Sequence, residues 1–294
     1  MNILILSRNV NLYSTSSLLR AGRNLGHTVK VVDHMQCDVM TGKDKQEVYY
    51  RQYPFQLVDA IIPRIGASAT SYGAIIIRQF MLKGVISTLT PTALLQSRNK
   101  FASLQLLAAN DIATPKTLIS AYGVSGQEIH DALGAPPYII KTLRSTHGEG
   151  VYKADSVGQA QRLLGSFMRS QQQVIIQEFI KEAIGEDIRV LVVGGKVVAS
   201  MRRVAAAGEF RSNLHRGGSG YRVQLSEEEQ VVALKAAEVM GLSVAGIDML
   251  RSKRGPLVLE VNASPGLEGI EGVTGVDVAG HIIKMIEENR NIPQ

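Results

Sequence analysis

The feature that most restricts the fold is a pair of short apolar runs near the C-terminal end. They are "VAGIDML" and "PLVLEVN", separated by the basic stretch "RSKRG". Runs of this length and composition meeting at a glycine predict an antiparallel hairpin. Side chains alternate faces along a strand, so Glu260 and Asn262 point the same way. Pairing residue 250 with residue 258 gives a turn of about five residues that includes Gly255. The same register sets Asp248 opposite Glu260, with Asn262 one pleat further along. Two carboxylates at cross-strand distance repel each other, and a buried one is costly unless paired, hydrogen-bonded or bound to metal. A divalent cation resolves the conflict. Mg²⁺ takes hard oxygen ligands, usually one or two carboxylates together with substrate phosphates. The spacing is equally served by a hairpin whose polar face lies in water, where neither acid needs a partner.

Upstream of the hairpin, strand and helix signals alternate. "NILILS" (2–7), "HTVKVVD" (27–33) and "VDAIIPR" (58–64) read as buried strands, and helical periodicity covers 13–25 and 71–83. This predicts a small parallel α/β unit ending near residue 95. No dinucleotide-type glycine fingerprint follows its first strand. Ligands of such sheets bind beyond the carboxyl ends of the strands, which points to Ser7, Arg8 and Arg64. Residues 97–110 read as one amphipathic helix, with Phe101, Leu104 and Leu107 on a shared face. Strands are predicted at 137–143, 151–154 and 173–180, with a helix near 156–170 between the last two. "EDIRVLVVGGKVVASMRRV" reads as two strands around a Gly194-Gly195 turn. Helices follow at 226–241 and about 275–289.

Several groups suit phosphates. Lys141 ends the run "YIIK" beside a loop carrying Gly148 and Gly150, where free backbone N–H groups and a lysine favour an anion. No Walker A pattern is present. "QEFI" (177–180) closes a strand into a connecting segment whose backbone could read an adenine edge. Arg202, Arg203, Arg211 and Arg216 form a further group, since guanidinium binds phosphate or carboxylate bidentately. Taken singly, each also reads as a solvated strand or turn residue.

Bulk properties exclude other classes. The chain has 294 residues, long enough for two or three subdomains. No apolar run approaches the roughly 20 residues of a membrane helix, and "MNILILSRNVN" lacks the basic start and apolar length of a secretion signal. The single cysteine, Cys37, cannot form an internal disulfide and fits a reducing cytoplasm as a small buried residue. Net charge is +6, and residues 1–95 carry 10 Lys and Arg against 5 Asp and Glu. Without a basic block interleaved with aromatics, nucleic acid is not the expected partner. A basic N-terminal face can steer an acidic ligand or peptide.

"GIDML" followed by "LVLEVNASPGLEGIE" resembles the C-terminal signature of the ATP-grasp superfamily. "EFRSNLHRGG" narrows the resemblance to the RimK-type glutamate ligases, which add glutamate to the C-terminus of the sixth protein of the small ribosomal subunit. "ILSRN…LYS", "IPRIG", "RQF", "QLLA" and "QEFIKEA" agree, so the resemblance spans essentially the whole chain. It implies α/β and α+β architecture: an ATP-grasp fold behind an N-terminal parallel α/β (pre-ATP-grasp) domain. The expected domains are 1–95, 96–185 and 186–294, the last holding the metal site. By the resemblance, Lys100 and Lys141 are the nucleotide-phosphate lysines, Glu178 and Phe179 the adenine linker, and Asp187 the ribose end. Arg211, Ser212 and Asn213 lie near the terminal phosphates, with Arg203, Arg211 and Asn213 as catalytic residues. Asp248, Glu260 and Asn262 are the metal ligands, for Mg²⁺ or Mn²⁺. The implied cofactor is ATP, and the implied substrates are L-glutamate and an acidic protein C-terminus, a ribosomal one first. The resemblance also implies a homo-oligomer, to which the composition adds a cytoplasmic location and no direct nucleic-acid or membrane contact.

The implied chemistry is carboxylate activation by ATP, attack by an amine, and a glycine-rich loop closing out water. His215 reads as a packed or solvent-facing residue rather than a proton acceptor. Other readings remain open at this stage. One keeps the ligase class with another amino acid or acceptor, as relatives act on carrier proteins, peptides or coenzymes. The same cleft could serve a small-acceptor phosphotransferase, or a non-catalytic nucleotide-binding scaffold, which would not require paired metal carboxylates.

Overall fold

The computed structural model describes residues 1–121, 123–143, 150–212, 214 and 217–290. The first crossover is β1 (Asn2–Leu6), α1 (Tyr13–Asn24) and β2 (Thr28–Val32), with β1 and β2 paired in parallel from Asn2↔Thr28 to Leu6↔Val32. The chain then makes β3 (Cys37–Thr41), β4 (Gln46–Tyr50) and β5 (Tyr53–Pro54), a three-stranded antiparallel sheet that the sequence reading did not anticipate. Buried Cys37 and Val48 seat it, and the Tyr72 hydroxyl donates to the Cys37 carbonyl at 2.6 Å. β6 (Ala60–Pro63), α2 (Thr70–Leu82) and β7 (Ile86–Ser87) complete a four-stranded parallel sheet of order β2-β1-β6-β7. Ile3 and Ile5 belong to one core and Leu4 and Leu6 to another, so both faces of β1 are covered.

The single helix expected over 97–110 is two helices, α3 (Pro91–Arg98) and α4 (Lys100–Ala108). Asn99 lies between them in extended backbone, and its Oδ1 accepts from the Ala102 N–H at 3.1 Å. Asparagine satisfies the open N–H groups of a new helix, so the apolar spacing runs on across the break.

β8 (Thr117–Ile119), α5 (Gly126–Leu133), β9 (Tyr138–Thr142), β10 (Val151–Ala154), α6 (Val157–Arg169) and β11 (Val174–Glu178) form the next unit. Its antiparallel sheet has the order β10-β9-β11-β8. Tyr138 and Ile140 of β9 pack with Ile129 of α5 and Leu164 of α6 in a core of their own. Alternation therefore sends Ile139 and Lys141 to the opposite face.

The last unit contains β12 (Glu186–Val193), β13 (Lys196–Val204), β14 (Ser219–Arg222), α7 (Glu227–Val239), β15 (Val244–Ser252), β16 (Gly255–Asn262), α8 (Glu268–Thr274) and α9 (Val278–Arg290). Its five-stranded sheet has the order β14-β13-β12-β15-β16. Gly194 and Gly195, with φ of 56° and 71°, make the expected tight turn. Val190, Val192 and Ile247 share a core with Leu4, Leu6 and Ile61 of the parallel sheet, which joins the first unit to the last.

The β15–β16 hairpin corrects the sequence reading in one respect. Asp248 does pair with Glu260, but Met249 pairs with Val258 and Leu250 with Leu257. A bulge leaves Leu259 as an extra residue, and the turn shortens to Lys253 and Arg254 between paired Ser252 and Gly255. The bulge absorbs the residue that the five-residue turn would have held. Among the described residues no helix is long and apolar enough to cross a membrane.

Candidate active site

One cleft lies between the β10-β9-β11-β8 sheet and the β14-β13-β12-β15-β16 sheet, with α4 along one side. Its apolar lining includes Leu104, Leu107, Ile139, Ile175, Leu250 and Leu259. Lys100, Lys141, Glu178, Phe179, Asp187, Arg203, Arg211, Ser212, Asp248 and Glu260 all line it as well. Sequence reasoning drew these residues from six separate segments, and the fold brings them together. An apolar bed with a few convergent charges suits a flat ring carrying a polyanion.

The charged floor follows from strand register. Asp187 of β12 pairs with Arg203 of β13, Arg189 of β12 with Asp248 of β15, and Asp248 with Glu260 of β16. Arg189 donates to Asp248 through Nε at 2.7 Å and Nη2 at 2.6 Å. Arg203 donates through Nε to Asp187 at 2.6 Å, and its Nη2 lies 2.9 Å from Asp248. Asp187, Arg203 and Asp248 are 7%, 4% and 5% exposed. Burial pushes the Asp248 carboxyl up, but the charges and hydrogen bonds of Arg189 and Arg203 outweigh it and hold Asp248 at about 2. Burial opposes the charge on Arg203, yet Asp248 and Asp187 hold its guanidinium protonated more firmly than usual.

Arg189 was not among the expected residues. Its signal was a charged residue inside the apolar run "IRVLVV", two positions after Asp187 and hence on the same face. Arg202, grouped with Arg203 from the sequence, does not belong to the floor. It does not line the cleft, and it meets Glu186 at 3.4 Å and stacks 5.5 Å from the Tyr221 ring. Adjacent strand residues face opposite ways, so "RR" cannot serve one site.

Lys141 projects from β9, and its Nζ donates to Gln177 Oε1 at 2.7 Å. Gln177 in turn donates to the Thr117 hydroxyl at 2.8 Å, which fixes the amide so that its oxygen faces the lysine. Burial lowers the Lys141 pKa to about 8, with Lys100 adding repulsion and Glu260 and Asp248 opposing the fall. Burial also lowers Lys100, against the attraction of Glu260. Cations held at this cost to their charged form are prepared for an anionic ligand.

The Glu178 carboxylate accepts from the Lys116 N–H and from Arg254, both at 2.6 Å, so it clamps the β11 end to the β15–β16 turn. Lys153 sits 5.3 Å from the Phe179 ring. Arg211 donates to Glu209 through Nε at 3.0 Å and Nη2 at 2.7 Å, and through Nη1 to the Val151 carbonyl at 3.4 Å. Ser212 is buried beside it. Asn213, His215, Arg216 and the loop at 144–149 lie outside the described residues, so the expectations placed on them are not addressed by this geometry.

Asp248, Glu260 and Asn262 offer two carboxylates and one amide oxygen, all hard donors. Asp248 stays ionised, and Asn262 is half-buried at the end of β16. Among the described residues there is no cluster of three His, Cys, Asp or Glu side chains able to hold a metal. By donor type, Asp248, Glu260 and Asn262 would suit a divalent cation that also takes phosphate and water oxygens. Cys37 takes no part: it is buried, and burial, aided by Asp33 and Asp38, pushes its thiol up to about 12. Ser7 is also buried, sharing a 2.9 Å hydrogen bond with Thr15.

Known proteins resemble this chain in sequence and in fold. A probable alpha-L-glutamate ligase of Aliivibrio fischeri is 49% identical over 288 residues, covering 98% of this chain and 96% of its own length. A protein of the same name from Pseudomonas paraeruginosa is 47% identical over 289 residues, with the same coverage. The ATP-grasp ligase PsnB in complex with a minimal precursor superimposes with a TM-score of 0.75 at 19% identity, over 98% of each chain. D-alanine–D-alanine ligase of Bacillus anthracis gives 0.67 at 16% identity, over 98% of this chain and 96% of that one. At those identities the two structures establish the ATP-grasp fold. Residues 1–94 match the RimK PreATP-grasp domain and residues 97–286 the RimK-like ATP-grasp domain. With both domain models matched along the chain and relatives 47–49% identical over 98% of it, this protein belongs to the RimK-like ATP-grasp family.

Proposed function

We propose that the protein joins L-glutamate to the C-terminal carboxylate of an acidic protein tail, with a small-subunit ribosomal protein as the first candidate acceptor. Membership of the family makes it an ATP-dependent, amide-bond-forming ligase. The glutamate part rests on one observation, the shared name of relatives 47–49% identical along 98% of the chain. The polypeptide acceptor is supported by the fold neighbours PsnB and MdnC, both solved with precursor peptides. The proposed organisation is an N-terminal domain at 1–95 and two ATP-grasp parts at 96–185 and 186–294.

The residues divide the work by their chemistry. Glu178 and Phe179 border the base and Asp187 the ribose. Lys100 and Lys141 meet the phosphates, where a charge-assisted contact exceeds a neutral one. Arg203 and Arg211, with Ser212 and Asn213, face the transferring phosphoryl group. Asp248, Glu260 and Asn262 would hold Mg²⁺ or Mn²⁺, which when bound neutralises phosphate charge. A carboxylate oxygen of the acceptor attacks the γ-phosphorus of ATP and the bond to ADP breaks. The resulting acyl phosphate has phosphate as a leaving group, which a free carboxylate lacks. The neutral amine of glutamate then attacks the acyl carbon, phosphate departs, and the amine proton passes to solvent. Arg203 is already oriented by Asp187 and Asp248, so little reorganisation is needed as charge develops.

The test is incubation with ATP, Mg²⁺, an acidic peptide and a panel of amino acids, followed by mass spectrometry. A glutamyl-extended peptide with equimolar phosphate is expected. Preference for another amino acid would overturn the glutamate assignment, and an acceptor that keeps the phosphoryl group with glutamate present, forming no amide, would overturn the ligase chemistry.

A further inference from the structure

Beside the cleft lie two cations that the proposed nucleotide site does not use. Arg64, at the carboxyl end of β6, donates through Nη2 to the Pro265 carbonyl at 2.7 Å. Arg98, the last residue of α3, donates through Nη2 to the carbonyl of Ile65, the residue next to Arg64. The two guanidiniums therefore share one short loop. Neither forms an ion pair with an acid among the described residues. Nε of Arg98 is buried and has no hydrogen-bond partner. Burial lowers the pKa of both groups, and the charge of Arg98 lowers Arg64 further, to about 10. Gly66 and Gly266 follow the two carbonyl-bearing segments, are exposed, and have nothing within 4 Å of where a Cβ would stand. A half-buried pair of like charges with a buried donor left unpartnered is incomplete by itself.

Its position indicates what completes it. Glu260 acts electrostatically on both Arg98 and Lys100, so Arg98 borders the part of the cleft proposed for terminal phosphates and metal, and Arg64 lies within reach of the Arg98 charge. Ser97 and Lys100, on either side of Arg98 in sequence, line the cleft itself. On the outer side, exposed Arg8 donates to Ser68 Oγ at 3.3 Å, on the same loop as Arg64. The unpartnered Nε–H and the charge of Arg98 suit a carboxylate oxygen, the strongest acceptor an organic substrate offers a guanidinium short of phosphate.

We propose that Arg64 and Arg98 form a carboxylate-recognition site that holds a substrate carboxylate next to the phosphoryl-transfer centre. The inference rests on the ligase reading above. The carboxylate belongs either to the acceptor terminus or to the incoming amino acid, and the test separates them. Wild-type protein, saturated with ATP and Mg²⁺, is titrated with an acidic peptide ending in a free carboxylate and with the same peptide ending in a carboxamide. If the acceptor is the source, the carboxamide binds about tenfold more weakly, and Arg98→Gln or Arg64→Gln removes the difference. If glutamate is the source, its Michaelis constant rises about tenfold in Arg98→Gln while both peptides are unaffected. In either case the constant for ATP stays within about twofold, and Arg98→Lys, which keeps the charge but not the fork, recovers only part of the loss. Unchanged constants for both carboxylate substrates in all three variants would overturn the site. So would parallel weakening of ATP, peptide and glutamate with a falling Tm, which would make the arginines structural locks. A wild-type protein that yields no glutamyl product would overturn the ligase reading instead. The site is then read from Tm alone: a rise with free-acid peptide or L-glutamate that Arg98→Gln abolishes supports it, and no rise in wild type overturns it.

Discussion

Arg189 grips Asp248 from the neighbouring strand with two parallel hydrogen bonds, at 2.7 and 2.6 Å, while Arg203 reaches the same carboxylate from one strand further. Asp248 is thus buried, ionised and already neutralised before any cation arrives. Glu260, its register partner, is exposed on the edge strand and forms no ion pair among the described residues. The two acids of the hairpin therefore carry different burdens: Asp248 is tied into the sheet by two guanidiniums, and Glu260 lines the cleft with no ion partner of its own among the described residues.

Arg189→Met should expose this burden. It leaves a buried carboxylate with half its compensation, a change that typically costs about 3 kcal/mol. Urea denaturation should show the loss, whereas Arg202→Ala, in a pair 42% and 44% exposed, should stay within about 0.5 kcal/mol of wild type. Equal midpoints for the two variants would remove Arg189 from the framework.

Glu260→Gln should behave in the opposite way. The exposed side chain contributes little to folding, so the urea midpoint is expected to hold. Turnover should fall about 1000-fold or more, because a charge that orders metal and phosphate is lost. Near wild-type turnover at saturating Mg²⁺ would sink the metal assignment.

Much of this was legible from residues alone. Alternation in "GIDML" and "LVLEVN" placed Asp248 against Glu260, and the β15–β16 pairing bears that out. The bulge was hidden because the extra residue, Leu259, is as apolar as its neighbours and leaves the pattern readable in either register. Asn99 concealed a helix break in the same way: it ends one apolar face and caps the next. The sheet over 37–54 had strand-like residues in "CDVMT" and "QEVYY", but the intervening "GKDK" and high polarity obscured them. Arg189 and Gln177 gain their meaning only from partners 59 and 36 positions away in the chain. No periodicity encodes that.

Lys141 predicts a proton signature. Its pKa is lowered from 10.5 to about 8, so between those values the folded state binds fewer protons than the unfolded one. This contribution to stability therefore rises as pH climbs through that window and is least favourable below it. A bound phosphate restores the charged form, so ATP binding near pH 8 should take up protons and weaken as pH rises further. Calorimetry in buffers of different ionisation enthalpy measures the uptake. Lys141→Met should reduce it and lower ATP affinity by about 1.5–3 kcal/mol. An unchanged proton count in the variant would show that Lys141 does not meet the nucleotide.

The acceptor reading predicts salt dependence and repetition. Residues 1–95 hold 10 basic against 5 acidic side chains, and exposed Arg8 leads toward the loop that carries Arg64. Arg64 itself is half-buried and bonded to Pro265, so Arg64→Glu would disturb packing as well as charge. Arg8→Glu is the cleaner probe. Exposed charges are screened beyond about 8 Å in physiological salt, so the Michaelis constant for an acidic peptide should rise with ionic strength more than that for ATP. Arg8→Glu should raise it further at low salt and converge with wild type at high salt. Each added glutamate leaves a new terminal carboxylate and a more negative tail, which the basic face attracts more strongly. Mass spectrometry should then show a ladder of glutamyl products, shorter at high salt. A salt-independent constant together with an unaffected Arg8→Glu would remove the steering, and a single addition that never repeats would remove the chain extension.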